Sequence, residues 1–285
     1  MDWVERLNQS VSYIEEHLTD EIDYEQLGRI ACCSAYHYQR MFTYMAGISL
    51  AEYIRRRKMS LAASDLQSGE KIIDVALKYG YSSPTAFHRS FRSFHRIAPS
   101  LLRKKGATVK FFAPIVFCMT LKGATEMNYR IETNGAFRVI GISAPLDREI
   151  EKNFMVVPKM WRDAAADGTI QKLADMMDTP PMGLLGVSVC NDEKQWEYFI
   201  AVSSTKEKEN FKEYTVPAST WAIFSGAGDN RSIQELERRI LTEWLPGSGY
   251  EYANAPDIEV YLNPDPQNAQ YEVWIPVAKK TPKEK

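Results

Sequence analysis

Between Leu27 and Arg103 the chain writes one pattern twice, and a duplicated pattern defines the folding unit before any single residue does. The first copy reads Leu27-Gly28-x-x-Ala31-Cys32-Cys33-Ser34, then Tyr38-Gln39-Arg40-Met41-Phe42 and Gly47-Ile48-Ser49-Leu50. The second reads Val75-Ala76-x-x-Tyr79-Gly80-Tyr81-Ser82, then Phe87-His88-Arg89-Ser90-Phe91 and Arg96-Ile97-Ala98-Pro99. From Tyr38 onward the copies match at an offset of 49 residues; before it the offset is 48, so one copy has an extra residue in its turn.

Each copy has the layout of a helix-turn-helix. A short amphipathic helix ends at a small residue, Cys32 or Gly80, and a serine caps a second helix. In the second copy Ser83-Pro84 is a strong start, because proline sits where no helical N–H bond is needed. The second helices bury Tyr38 and Phe42, or Phe87 and Phe91, at i, i+4. Their opposite sides carry Tyr36, Gln39 and Arg40 in one copy and Thr85, His88 and Arg89 in the other. Two ordinary helical hairpins with solvated polar faces are the alternative, which the duplication makes the poorer reading.

Ser49-x-x-Glu52 is a capping box that starts a joining helix ending at Gly69. About twenty residues at about 1.5 Å each make a rod of roughly 30 Å. Successive major grooves on one face of DNA lie about 34 Å apart. One chain can therefore address two grooves, and a monomer suffices for DNA binding. Side chains early in each second helix would then reach base edges, arginine suiting guanine and glutamine adenine. Arg57, Lys58, Arg103 and Lys104 would hold phosphates. A solvated helix face is the other reading of the run Arg55 to Lys58.

The charge is distributed accordingly. A net of −2 over 285 residues hides −7 in residues 1–28, +10 in 29–105 and −5 in 107–285. A basic block confined to the repeat is the electrostatic footprint of DNA contact. The acidic start reads as an amphipathic helix closing the core through Trp3, Leu7, Ile14 and Leu18. With neither a membrane-length apolar run nor a basic-then-apolar leader, the chain reads as cytoplasmic, with no membrane partner. Cys32, Cys33, Cys118 and Cys190 lack metal-ligand spacing, and no cofactor or metal is expected.

The stretch Gly80-Tyr81-Ser82-Ser83-Pro84…Phe87-x-Arg89-x-Phe91…Pro99-x-x-x-Arg103 resembles the signature of the AraC/XylS family of transcription regulators. Residues 34–42 and 53–59 are similar to its MarA/SoxS/Rob branch. The resemblance covers about residues 1–105 and implies an all-α double helix-turn-helix domain that binds double-stranded promoter DNA and works with RNA polymerase. It places Gln39 and Arg40 where first-helix base contacts occur, and Thr85 and Arg89 where the second helix reads. Pro84 departs from the branch's polar residue.

After Lys105 the helical period gives way to β-rich runs. Residues 107–126 read as a linker and entering strand, 127–280 as a second domain and 281–285 as a disordered tail. Strands are expected at 137–144, 184–189, 196–202, 221–225, 258–262 and 271–277, and helices near 158–166 and 232–244, the latter opened by a capping box Ser232-x-x-Glu235. The order strand, helix, strand, strand occurs twice, which predicts an α+β domain of two duplicated units flanking a central cleft. Alternation sets Ile258, Val260 and Leu262 with Val273, Ile275 and Val277 under the helices. Glu259, Tyr261, Glu272, Trp274, Glu197 and Phe199 are then expected to line the open face. Carboxylates among large aromatics suit a cationic or amphipathic small molecule; an exposed face with incidental aromatics is the alternative.

Phe137-Arg138-Val139-Ile140-Gly141-Ile142, Trp244-Leu245-Pro246-x-x-Gly249-Tyr250, Glu259-Val260-Tyr261-Leu262-Asn263 and Glu272-x-x-Ile275-Pro276-Val277 are together similar to the GyrI-like effector-binding domain, and the order of the two domains is Rob-like. That resemblance implies a multidrug-sensing pocket containing Glu259, with Glu272 a neighbour. The reading is a regulator that senses a small lipophilic, cationic effector and is not an enzyme. All four histidines precede residue 96, so the C-terminal half offers no histidine for a triad or zinc site. A hydrolase using Glu259 or Glu272 with Tyr261, and a protein-binding module, are the rivals.

Overall fold

The computed structural model describes residues 3–102, 107–118, 126–190, 196–207, 210–263 and 268–280. The N-terminal region folds with the helices α1 (Trp3–Glu16), α2 (Tyr24–Ala31), α3 (Ala35–Ala46), α4 (Leu50–Gln67), α5 (Ile72–Lys78) and α6 (Pro84–His95), of which α2 to α6 build the repeat. The chain forms two compact units, one of Met1–Ala31 and Ala46–Thr120, the other of Cys32–Met45 and Leu121–Lys285. Helix α3 is thus part of the second unit.

In the first unit the start signals act as their chemistry dictates. Ser49 Oγ accepts from Glu52 N at 3.1 Å and Ser83 Oγ from Ala86 N at 3.2 Å. The Glu52 carboxylate does not return the bond as a full capping box would; it pairs with Arg55 and Arg56 one turn on. Met59, Leu66, Val75, Phe87 and Phe91 form one buried cluster, and Leu7, Val11, Ile14 and Leu18 close a second layer. Gly80, at φ +80°, makes the turn before α6. Cys32, at φ +58°, takes the same left-handed geometry in the first copy, where a side chain makes it costlier.

Residues 107–118 contain no strand, and residues 119–125 of the expected linker and entering strand lie outside the described residues. The former are strapped to the first unit. Lys110 N donates to His95 Nδ1, Phe112 N to Ser60 Oγ and Phe117 N to Asn8 Oδ1 at 2.8–3.1 Å, and Asn8 Nδ2 returns a bond to Phe117 O. His95 Nε2 meets Met59 O at 3.0 Å, so the ring donates there while accepting at Nδ1, and burial holds its pKa below the usual value.

Arg57 belongs to this strap and not to a phosphate-binding surface. It is 4 % exposed, forks onto Glu15 at 2.7–3.0 Å and donates to Phe112 O. Its guanidinium also lies over the Phe111 ring. Lys58 is half-buried and donates to Tyr79 O, a second departure from the phosphate expectation. Arg103 and Lys104 fall outside the described residues. Arg57→Ala leaves Glu15 without its cation and is expected to destabilise the first unit by about 3 kcal/mol in urea denaturation; a loss under about 1 kcal/mol would return Arg57 to the surface role.

The second unit is built on an antiparallel sheet of nine strands: β1 (Tyr129–Asn134), β2 (Phe137–Pro145), β3 (Leu184–Val189), β4 (Glu197–Ser203), β5 (Lys212–Val216), β6 (Ser219–Gly228), β7 (Tyr250–Tyr252), β8 (Asp257–Asn263) and β9 (Ala269–Lys279). The order β1-β6-β9-β8-β3-β4-β2-β5, with β7 on β9, is two matching halves joined at β3–β8. Each half repeats strand, helix, strand, strand: β2, α7 (Ile150–Ala166), β3, β4, then β6, α9 (Asn230–Arg239), β8, β9. The duplication expected from sequence is present.

Strands β1, β5 and β7 and helix α8 (Thr169–Met176) were not expected. Helix α7 begins eight residues before Pro158, which lies inside it. The cap of α9 is Asp229, whose carboxylate accepts from Arg231 N and Ser232 N; Ser232 is inside the helix, so the expected capping box is not formed. The helix widens into a π-type turn over Ile240–Trp244.

The sheet curls strongly. Phe137 on β2 meets Trp221 on β6 at 6.3 Å between ring centres, although four strands separate them in the sheet order. Val139, Val187, Ile223, Ile258 and Trp274 join them in one buried cluster inside the curl. The helices pack on the outer face, where Trp161 of α7 and Ser232 of α9 bond sheet tyrosines.

Candidate functional site

At the seam of the two halves, Glu259 on β8 stands opposite Gly186 on β3. A Cβ at 186 would lie 2.2 Å from Tyr198 Oη and 2.8 Å from Glu259 Oε2, so the glycine makes the hollow that these two groups fill. Glu259 Oε2 accepts from Tyr261 Oη at 3.0 Å and from Tyr198 Oη at 3.2 Å. Trp161 Nε1 donates to Tyr198 Oη at 2.9 Å, and its ring meets Tyr261 edge-on at 5.1 Å. A carboxyl walled by three aromatic rings results. Burial, and then the like charge of Glu237, push its pKa up to about 7; Arg40 and the two phenol bonds oppose the shift. Burial also keeps both phenols well above their usual pKa, so they remain donors.

Glu259 and Tyr261 thus lie on the helix-covered face, contrary to expectation. The other expected lining residues lie on the opposite, uncovered face, where Glu272 and Trp274 border a cavity with Arg130, Phe137 and Val260. Cross-strand partners share a face, and Ile258 pairs with Trp274, Val260 with Glu272 and Glu259 with Val273. Glu272 and Trp274 therefore accompany Ile258 and Val260, the reverse of the phase expected from alternation. Glu272 is already neutralised, accepting a fork from Arg130 at 2.8 and 3.1 Å and a bond from Trp274 Nε1 at 2.9 Å. Phe199 belongs to the inner cluster, and Glu197, two residues along, pairs with Lys212. The β4 contribution to the site is Tyr198, one residue over. Trp161, Tyr198 and Gly186 were not singled out from sequence, and only Gly186, a glycine inside an apolar strand, carried a local sign of close approach.

The two copies of the repeat differ sharply in accessibility. On α6, Thr85, His88 and Arg89 are exposed and share a concave surface with Arg92 and Arg96. Their counterparts on α3 are covered: Tyr36 is 7 % and Gln39 1 % exposed, and the Arg40 side chain 11 %. This corrects the expectation of an open reading face on α3. Within the second unit Arg40 binds Glu237 at 2.7 Å and Asp257 at 3.0 Å, its guanidinium lying over the Tyr36 and Tyr44 rings. Tyr44 Oη donates to Glu237 at 2.8 Å. His37 stacks on Tyr252 at 4.1 Å with Nε2 3.1 Å from Asp257, and Tyr36 meets Trp196 edge-on.

Among the described residues no group of His, Cys, Asp and Glu could hold a metal ion, and no helix is long and apolar enough to cross a membrane.

Comparison with known proteins agrees with both halves. Residues 127–278 match the GyrI-like small molecule binding domain and residues 27–105 a helix-turn-helix domain. The transcriptional activator AarP of Providencia stuartii is 35 % identical over 98 residues, which are 34 % of this chain and 73 % of AarP. The multiple antibiotic resistance protein MarA of Salmonella typhimurium is 34 % identical over 94 residues, 33 % of this chain and 74 % of MarA. Among solved structures, SAV2435 bound to tetraphenylphosphonium covers 53 % of this chain and 94 % of its own at 19 % identity and a TM-score of 0.48. The chain therefore belongs to the AraC family of DNA-binding transcription regulators and carries a GyrI-like small-molecule-binding domain.

Proposed function

We propose that the GyrI-like domain senses a lipophilic cation, which binds at Glu259 and alters DNA binding by the helix-turn-helix repeat. The observation that carries this reading is the buried Glu259 carboxyl among Trp161, Tyr198 and Tyr261. An unpaired carboxylate is costly away from water, so a ligand that brings both a cation and an apolar body is favoured over a hydrated metal ion or a neutral sugar. On the DNA side, the exposed row Thr85, His88 and Arg89 supports base reading by α6, with Arg92 and Arg96 beside it for phosphates.

Isothermal titration of the full chain with tetraphenylphosphonium tests the effector reading. Micromolar binding is expected, weakened about 30-fold or more in Glu259→Gln, since charge-assisted contact in a low-dielectric site is lost. Absence of heat with this and other lipophilic cations would overturn it. A carboxyl titrating near 7 beside two phenols also has the proton affinity of a general base, which favours hydrolysis of a small electrophile as the second reading. Turnover of ester probes that Glu259→Gln abolishes would decide for it.

A further inference from the structure

The face of the second unit that bears Glu259 is occupied by a segment of the chain itself. Asp257 precedes Glu259 by two residues on β8, so the two side chains leave the same face about 7 Å apart. Arg40 of α3 binds Asp257, and with its second nitrogen it binds Glu237 of α9. Tyr36, one turn earlier on α3, meets Trp196 next to β4. Helix α3 thus brings to this face a cation on an aromatic, amphipathic body, and these are the features a lipophilic cation would bring.

The duplication supplies the comparison that makes this informative. Gln39 and Arg40 correspond to His88 and Arg89 at the offset of 49, and Tyr36, like Thr85, stands one turn earlier on its helix. A recognition helix needs that row open, as α6 has it. On α3 the row is turned into protein, and buried Gln39 Nε2 finds no hydrogen-bond partner. A glutamine amide designed only for packing would be satisfied or replaced by an apolar group. The residue type suits base contact, while its present surroundings do not use it.

We propose that α3 is the resident occupant of the acidic face of the GyrI-like domain, with Arg40 standing in for the effector's cation. Effector binding and release of Tyr36, Gln39 and Arg40 for DNA reading are then a single exchange. The inference rests on the cation-sensing reading of this domain, and it adds a competitor for the site. Ligand affinity is reduced by the fraction of molecules in which α3 is seated. The two states differ in how much DNA they read, one half-site through α6 or two half-sites about one helical turn apart.

Two measurements on the full chain test it. In calorimetry with tetraphenylphosphonium, Arg40→Ala removes the competitor and is expected to tighten binding about tenfold or more; equal or weaker binding overturns the exchange. In selection from a random-sequence duplex pool, the wild type alone should return one half-site. Adding tetraphenylphosphonium, or substituting Asp257→Asn together with Glu237→Gln, should return two. Retention of the α6 half-site shows that the first unit is folded, and a cooperative urea transition followed by the tryptophans of the second unit shows the same for the substituted one. If the double variant returns two half-sites while the cation neither binds nor acts, occupancy by α3 stands and the cation reading falls. If the cation binds but neither it nor the variants add a half-site, the inference falls and the effector reading survives. Two half-sites from the unliganded wild type would overturn the inference outright.

Discussion

Alanine at position 186 is expected to abolish cation binding, lowering affinity more than about 100-fold, while the DNA-reading surface of α6 is untouched. The added methyl would sit 2.2 Å from Tyr198 Oη and 2.8 Å from Glu259 Oε2, inside the distance at which real Cβ atoms are found. Tyr198 cannot swing aside cheaply, because it is 3 % exposed and held by Trp161 on one side and Glu259 on the other. The methyl therefore separates the carboxyl from its phenol donor or forces β3 away from β8. Overpacking of this kind costs about 1–3 kcal/mol, so a modest fall in melting temperature should accompany the loss of binding. Calorimetry with tetraphenylphosphonium and a thermal melt read the two effects separately. Wild-type affinity in Gly186→Ala would mean that the ligand sits away from the β3–β8 seam.

How much of this site could be read from sequence depends on which physical rule was in play. Periodicity and caps are local, so the helix-turn-helix copies, the start of α6 at Ser83-Pro84 and six of the strands were legible. The identity of Glu259 and Tyr261 as neighbours followed from their spacing on one strand, and they do meet. The relative phase of neighbouring strands is not local. It is set by register, and a strand buried on both faces gives alternation no polar side to anchor it. Here the curl buries Ile258, Val260 and Trp274 inside while helices cover Val273 and Ile275 outside. Glu259 and Tyr261, expected on the open face, therefore lie under the helices, while Glu272, Trp274, Glu197 and Phe199 do face away from them, inside the curl. The short strands β1, β5 and β7 carry charges and little apolar periodicity, and they form because partner edges are available.

Arg57 and Arg40 show a second limit. A run of basic residues on a helix predicts a phosphate-facing surface only if the acids that could pair with them are elsewhere. Glu15 lies 42 residues from Arg57, and Asp257 lies 217 residues from Arg40. Nothing in the local sequence announces either pair. Buried ion pairs of this kind cost desolvation and are strongly felt only when one partner is removed. That makes the Arg40 cluster suited to a switch, because a ligand cation can replace the arginine without leaving Asp257 and Glu237 unpaired.

The pH dependence of cation binding should be the largest effect that leaves the chain unmodified. Glu259 is held up to about 7 by burial and by Glu237 of α9, opposed by Arg40 of α3 and by hydrogen bonds from Tyr198 of β4 and Tyr261 of β8. Asp257, on the same face of β8, adds a further acid beside Arg40. Below pH 7 the site is therefore largely a neutral acid and must lose a proton before it can pair with a cation. Affinity for tetraphenylphosphonium is expected to rise about 30-fold between pH 5.5 and 8, with proton release to buffer on binding at pH 6.5. The same shift sets the sign for stability. A carboxyl whose folded pKa lies above its unfolded value stabilises the fold least when both states are ionised, and the loss develops as pH rises from about 4.5 through 7. Glu259→Gln removes that penalty while keeping an acceptor for the phenols. It should be about 2–3 kcal/mol more stable than the wild type at pH 8 and nearly equal to it at pH 4. Urea denaturation across this range measures the difference directly. A pH-independent difference, or cation affinity that stays flat from pH 5.5 to 8, would place the titrating carboxyl outside the binding site and remove Glu259 from the sensing role.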